Sequence, residues 1–453
     1  MIGVLYSVGS FLIAISILIA FHEFGHYWVA KRLGVKVLRY SIGFGKPLWT
    51  KVAGPDKTEY VIAALPLGGY VKMLDEREGE VAEEEKHRAF NRQKVWKRFV
   101  IVFAGPAFNL LFAVIAYLFL AVHGTAGLKP QVALVAPGSP AAVAGLEAGM
   151  EIVSVNGWRT PTWDAVLQEA LPRLVDRSKL QVNARLNNGI EHSYTLNLHD
   201  LKPEEAIQQP DKALGVYMFS IPPVIGSVGD GTPAQKAGLK AGDSITQIND
   251  HPIRDWMDIS EYVVGRPDQD LTVIVKRNNE TQSYKIHTYT QKVNGKQIGL
   301  LGIKPDTSSL KITDEDRAEF KLGLADGILY SVHKTWVISY VTLRAMWLIA
   351  STKMSLTNIS GPISIAVTAG QSASLGINQF IIFLALVSVS LGILNLLPIP
   401  ILDGGHLMFY LYEFVSGKPV SEKVEAIGQR IGIALLLMLM GLAFYNDIMR
   451  YVH

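Results

Sequence analysis

The stretch Ile15–Gly34, ISILIAFHEFGHYWVAKRLG, decides how the rest of the chain is read. An uncharged apolar run ends in His22-Glu23-Phe24-Gly25-His26. On a helix, side chains four residues apart share a face, so His22 and His26 can reach one ion, with Glu23 beside them as a base. Two imidazoles and a carboxylate are costly at the end of a membrane span, and such residues are functional by default. A chance pair of histidines at a helix end is the bland alternative, and the location argues against it.

Zinc needs a third protein ligand. Cysteine is absent, so a metal site here rests on His, Asp or Glu. The long form of the motif fails, because Val29 stands where a glycine is required and Arg32 where a third histidine is required. The next glutamate, Glu59, follows a basic stretch and fits poorly. The better candidate is Asp403, in Asn395-Leu396-Leu397-Pro398-Ile399-Pro400-Ile401-Leu402-Asp403-Gly404-Gly405. Taken alone, Asp-Gly-Gly reads as a turn.

Outward from these motifs, the 453 residues are 49% apolar and 18% charged, too hydrophobic for an ordinary soluble enzyme and too charged for a protein wholly in lipid. A net charge of +3 without long Lys/Arg runs gives no reason to expect a nucleic-acid partner. Segments 3–28, 99–122, 378–397 and 427–447 are each long and apolar enough to span a bilayer. The first has no basic residue before its apolar run and no small-residue cleavage site, so it reads as a retained span and not a signal peptide. Segment 322–350 is interrupted by Asp326, His333, Lys334 and Arg344, and fits an amphipathic interfacial segment within 318–372. Lys31, Arg32, Lys36 and Arg39 put the loop after the first span in the cytoplasm. The histidines and Asp403 then end spans that both run inward, so all three lie toward the cytoplasmic side.

The outer region, 123–375, contains a duplication. Ser139-Pro140-Ala141, Gly145-Leu146, Gly149, Asn156 and Trp163 recur as Thr232-Pro233-Ala234, Gly238-Leu239, Gly242, Asn249 and Trp256. Each copy continues into a short helix and a hairpin, turning at Asn187-Asn188-Gly189 or Asn278-Asn279-Glu280. The pattern resembles the circularly permuted bacterial PDZ domain, which implies domains at 127–220 and 221–308 able to take peptides or protein C-termini by strand addition. Two β-rich spacers without ligands are the alternative.

With H-E-F-G-H on the first span and L-D-G on a later one, the sequence resembles the site-2 protease family of intramembrane zinc proteases. The resemblance covers essentially its whole length. It implies a polytopic α-helical membrane protein with four transmembrane helices, in which two tandem β-rich PDZ domains are inserted between the second and third. Residues 1–122 hold the first two helices, and 376–453 the last two. It further implies zinc (Zn2+) held by His22, His26 and Asp403, Glu23 as catalytic base, and location in a bacterial inner membrane with periplasmic PDZ domains. The substrate it implies is a single-pass membrane protein resembling an anti-sigma factor already trimmed outside. The PDZ pair would act as a size filter or docking site.

Further residues gain roles in that light. Gly105 would let helices approach closely, and Asn109 would bond the first helix or the site. Asn395, with Pro398 and Pro400 after it, is a candidate to orient substrate or stabilise an oxyanion. Tyr60–Lys72 is apolar, β-prone and broken by Pro66 and Gly68-Gly69. It reads as a hairpin resembling the family's membrane-re-entrant loop, with Ala63, Leu65, Pro66, Gly68 and Gly69 as candidate substrate contacts. Such an edge would bond the backbone of a substrate helix unwound in lipid, where released amides need partners at once. The competing readings are a cytoplasmic hairpin without that task, a non-catalytic PDZ scaffold or chaperone, and a metal-ion transporter. An intact Glu23 speaks against a scaffold, and the nearly unbroken apolar character of the segment before Asn395 speaks against a transport path.

Overall fold

The computed structural model describes residues 2–186, 188–293, 296–308 and 313–452. The protein divides into two compact units, one made of 1–125 with 320–452 and the other of 126–319.

The first unit is built on helices α1 (Ile2–Arg32), α2 (Val95–His123), α3 (Leu324–Ala350), α4 (Pro362–Ser374), α5 (Ile377–Asn395), α6 (Asp403–Ser416) and α7 (Glu422–Val452). Among the described residues, four of these are long and apolar enough to cross a membrane: α1, α2, α5 and α7. With no hydrophobic drive between helices in lipid, close packing is a main source of their association, and small side chains set their spacing. A Cβ added at Gly25 of α1 would stand 2.4 Å from the carbonyl oxygen of Ala104 in α2. Ala113, Ala116, Tyr117 and Leu120 of α2 pack on Ala385, Val389 and Ile393 of α5. Ala14 and Leu18 of α1 share a second core with Ala369 of α4 and Phe383 and Leu384 of α5. Segment 318–372 resolves into α3, which lies along α2 and α5, and α4, which lies along α1. Asp447 of α7 accepts bonds from the backbone amides of Gly361, Ile363 and Ser364, capping the start of α4.

Between α1 and α2 run strands β1 (Val37–Ala53) and β2 (Thr58–Met73). Here the structure differs from the hairpin expected within 60–72. The two halves of that segment do not pair with each other; both pair with β1. Residues 69–73 lie along 37–42 (Val37 opposite Met73, Ile42 opposite Gly69), while 58–63 lie along 47–53 and, through 59–62, also flank 39–42. The sharp bend falls in β1, at Gly43 (φ +95°) and Gly45 (φ +85°), the conformation glycine alone adopts readily. The bent tip exposes Phe44, Leu48, Trp49, Ile62 and Leu65, side chains suited to lipid.

The second unit contains two similar modules with separate cores, one running from Val132 to Val216 and one from Ile225 to Ile303. Each has a four-stranded sheet in the same order, Trp158–Arg159, Glu151–Val155, Leu180–Arg185, Glu191–Leu196 in the first and His251–Pro252, Ser244–Ile248, Asp270–Arg277, Glu280–His287 in the second. The repeat is kept in backbone detail. Ser139 and Thr232 cap short helices that begin with proline, and Gly145 and Gly238 end them in the left-handed region. Asn156 and Asn249 turn at φ of 49° and 50°. The second hairpin turns at Asn278-Asn279, both at positive φ, as a two-residue loop requires. In the first hairpin turn, Asn187 lies outside the described residues.

Candidate metal centre

His22 and His26 occupy successive turns of α1, and Asp403 opens α6. The loop between α5 and α6 folds back on the first turn of α6, and only glycine fits there. A Cβ at Gly404 would stand 2.3 Å from the Leu397 carbonyl oxygen, and one at Gly405 would stand 2.4 Å from that of Ile399. Asp-Gly-Gly is thus a helix start locked against its own loop, and it aims Asp403 at the histidines. Nε2 of His22 lies 3.3 Å from Nε2 of His26 and 3.2 Å from Oδ2 of Asp403, and the remaining side of the triangle is 3.6 Å.

The chemistry and spacing of these three atoms fit zinc. Nδ1 of His26 donates to the Ile101 carbonyl oxygen at 2.9 Å, which leaves Nε2 as a lone pair. Oδ2 of Asp403 is buried and accepts no hydrogen bond. Lone pairs facing one another at this distance repel unless a cation lies between them. Ligands about 2.0–2.1 Å from a tetrahedral ion stand about 3.3 Å apart, the size of the triangle found. Gly105 keeps the space open, since a Cβ there would approach Nε2 of His26 to 2.3 Å and Cε1 of His22 to 2.8 Å. Two imidazole nitrogens and one carboxylate oxygen form a zinc donor set, and among the described residues this is the one such group.

Asn109 completes the support. Its amide nitrogen is 3.2 Å from Nδ1 of His22, while its Oδ1 is buried without a partner. A half-turn of the carboxamide, which leaves its shape unchanged, lets Oδ1 accept the Nδ1 proton and frees Nε2 for metal. Ser388 of α5 donates to the Asn109 backbone oxygen at 2.8 Å and fixes the turn that carries it.

The triad and Glu23 line one cavity of about 610 Å³. Gly69, Tyr70, Val71 and Met73 of β2 form part of its wall, and His406, Tyr410 and Glu413 of α6 another. A Cβ at Gly69 would stand 2.9 Å from Cγ of Glu23, so this strand passes directly against the base. Of the residues expected to touch substrate, Gly69 alone lines the cavity. Ala63, Leu65, Pro66 and Gly68 lie toward the bent tip, where a Cβ at Gly68 would run into the Phe44 ring. Asn395 ends α5, and neither it nor Pro398 nor Pro400 is part of the cavity wall. Sequence reading missed His406 and helix α6 itself, although the three-residue interval from Asp403 to His406 is a helical one.

The family model described as Peptidase family M50 matches residues 10–439. The chain belongs to peptidase family M50. This M50 peptidase is 40% identical to the regulator of sigma-E protease RseP of Escherichia coli K12 and to the regulator of sigma E protease of Salmonella typhi, with 99% of this chain and 100% of each relative covered. It is 41% identical to the protease RseP of Yersinia pestis over the same shares. Relatives in Vibrio cholerae and Neisseria meningitidis bear zinc metalloprotease in their names. Among solved structures, the PDZ domain of an SdrC-like protein from Listeria monocytogenes matches 18% of this chain and 85% of its own, at 20% identity and a TM-score of 0.16. This M50 peptidase is therefore a zinc metalloprotease of the site-2 type, with apolar helices that suit work within a membrane.

Proposed function

We propose that this peptidase hydrolyses a peptide bond in or near the transmembrane segment of single-pass membrane proteins. Its substrate is an anti-sigma-factor-like protein of the bacterial inner membrane, and cleavage relays a stress signal from the envelope. The observation that carries this reading is the convergence of three metal-ligand atoms and Glu23 on one cavity walled by a sheet edge. The relatives' names add the regulatory context, since they are called regulators of sigma E.

In this reading His22, His26 and Asp403 hold zinc, with Asn109 and the Ile101 carbonyl orienting the two rings. Zinc, when bound, acts as a Lewis acid that brings water ionisation near neutral pH. Glu23 takes the proton of the attacking water and passes it to the leaving amine. Strand β2 receives the substrate. A helical peptide bond has its own carbonyl and amide engaged, so it must unwind before attack, and in lipid the freed groups need partners. The edge at 69–73 offers them by strand addition. Asn395 stays a candidate for orienting substrate backbone, with Pro398 and Pro400 beside it.

We further assign the two modules of 126–319 as tandem PDZ domains on the periplasmic side, where they act as a filter or docking site for trimmed substrates. Support comes from the shared strand order and from the matching caps and turns of the two copies.

The test is cleavage of a purified single-pass substrate by the purified peptidase in liposomes. Wild type cuts within or beside the apolar segment, and Glu23→Gln does not, although it retains zinc. Cleavage by Glu23→Gln at the wild-type rate removes the assigned chemistry. Deleting 127–305 tests the filter: full-length, untrimmed substrate should become cleavable, and no change rejects that role.

A further inference from the structure

Attack on the scissile carbonyl needs a donor for the negative charge that develops on its oxygen. Asn395, the residue expected from sequence for this task, is not part of the wall of the cavity that holds Glu23 and the triad. His406 does line it. We propose that the imidazole of His406 donates the hydrogen bond that stabilises the oxyanion. The proposal rests on the proteolytic reading above.

Four observations carry it. Asp403, His406, Tyr410 and Glu413 recur at helical spacing, and each lines the cavity, so one face of α6 forms its wall. His406 is the cavity-lining residue of that face next after Asp403, one turn on. Side chains on a helix tilt toward its N-terminus, so the His406 ring leans back toward the level of Asp403.

The ring is also free. No hydrogen-bond partner engages it among the described residues, and its one ring neighbour is Phe409 at 6.3 Å. The guanidinium and amide donors on the cavity wall are committed, and the Tyr70 hydroxyl accepts from Arg39 at 3.0 Å. Arg98 bonds Glu413 at 2.6 Å, Arg77 bonds Asp75 at 2.7 Å, and the Asn91 amide bonds Glu76 at 2.9 Å. Tyr410 stands two turns from Asp403, beneath the Arg98 guanidinium.

The step then balances. As the water oxygen bonds to the scissile carbon, the π pair of the carbonyl moves onto its oxygen, toward the His406 N–H, and the water proton goes to Glu23. Collapse returns that pair to the carbonyl and breaks the C–N bond. Glu23 delivers its proton to the departing amine. His406 neither gains nor loses a proton overall.

His406→Ala and His406→Gln are compared with wild type in full-length protein. Three readings are taken: zinc content, equilibrium binding of a phosphinic peptide whose tetrahedral oxygen imitates the oxyanion, and cleavage of a single-pass substrate. His406→Ala is expected to keep zinc at one ion per molecule and KM within about threefold. Its kcat should fall about 100- to 1,000-fold, the loss typical of one oxyanion donor. Phosphinic-peptide affinity should fall in parallel, while uncleaved substrate binds as before in a Glu23→Gln background. His406→Gln, which keeps a donor, should recover at least tenfold of the lost kcat. Unchanged kcat in His406→Ala overturns the proposal, as does loss of zinc or equal weakening of substrate and phosphinic peptide. If wild type itself does not cleave, the proteolytic reading fails and not this assignment alone.

Discussion

Gly105 of α2 faces His26 of α1 so closely that a single added carbon would stand 2.3 Å from Nε2 of its ring. Alanine normally favours a helix over glycine by about 1 kcal/mol. At this position the sign reverses for function: Gly105→Ala should leave the protein folded but displace the His26 ring, a proposed metal ligand. Zinc measured on the purified variant should fall at least tenfold. Full occupancy would show that the two helices have room to part.

Asn109→Ala removes the acceptor for the His22 ring proton. Loss of such an outer partner costs about 10- to 100-fold in metal affinity. A chelator titration should therefore strip zinc from Asn109→Ala at correspondingly lower chelator activity. The α2–α5 contact should survive, because Ser388 bonds the backbone of Asn109 and not its side chain.

Val71→Pro takes one amide N–H from the strand that walls the cavity, and proline is poorly tolerated where a strand must pair. Cleavage of a transmembrane substrate should fall about tenfold or more, with zinc content unchanged. Equal cleavage would end the strand-addition role assigned to 69–73.

In the second β-rich module, burial by itself would raise the Asp243 carboxyl. The Arg277 guanidinium, at 2.6 Å, and the Lys240 amide outweigh it and hold the group below the usual carboxylate range. A depressed carboxylate stabilises the fold above its unfolded value of about 3.9, and that stability is lost as pH falls through the lower folded value. Thermal unfolding of this module should therefore be flat from neutral pH down to about 4 and steepen below it. Asp243→Ala leaves the Arg277 guanidinium only the Gly238 carbonyl and the Tyr284 ring as partners and should cost about 2 kcal/mol at neutral pH.

The spans, the duplication and the three side chains that converge on the candidate metal centre are legible in the sequence for identifiable reasons. Long apolar runs mark α1, α2, α5 and α7 to within a few residues, because the bilayer fixes their length. His22 and His26 sit four apart on one helix, which any periodicity reveals. Asp403 stands out because charge asymmetry puts it on the same side as the histidines. The path of β1 and β2 is not legible, since one extended strand can pair on both edges and strand propensity does not say with what. Helix α6 is hidden by its opening Asp-Gly-Gly, which reads as a turn until the loop packed against Gly404 and Gly405 is seen. With α6 unrecognised, His406 has no face on which to be noticed.

In the proposed metal centre three side chains share one ion, and metal analysis of purified Asp403→Ala beside Glu23→Gln tests this most directly. Glu23→Gln should hold about one zinc per molecule and cut nothing, whereas Asp403→Ala should hold less than about a tenth of that. A full zinc complement in Asp403→Ala would contradict the centre described here.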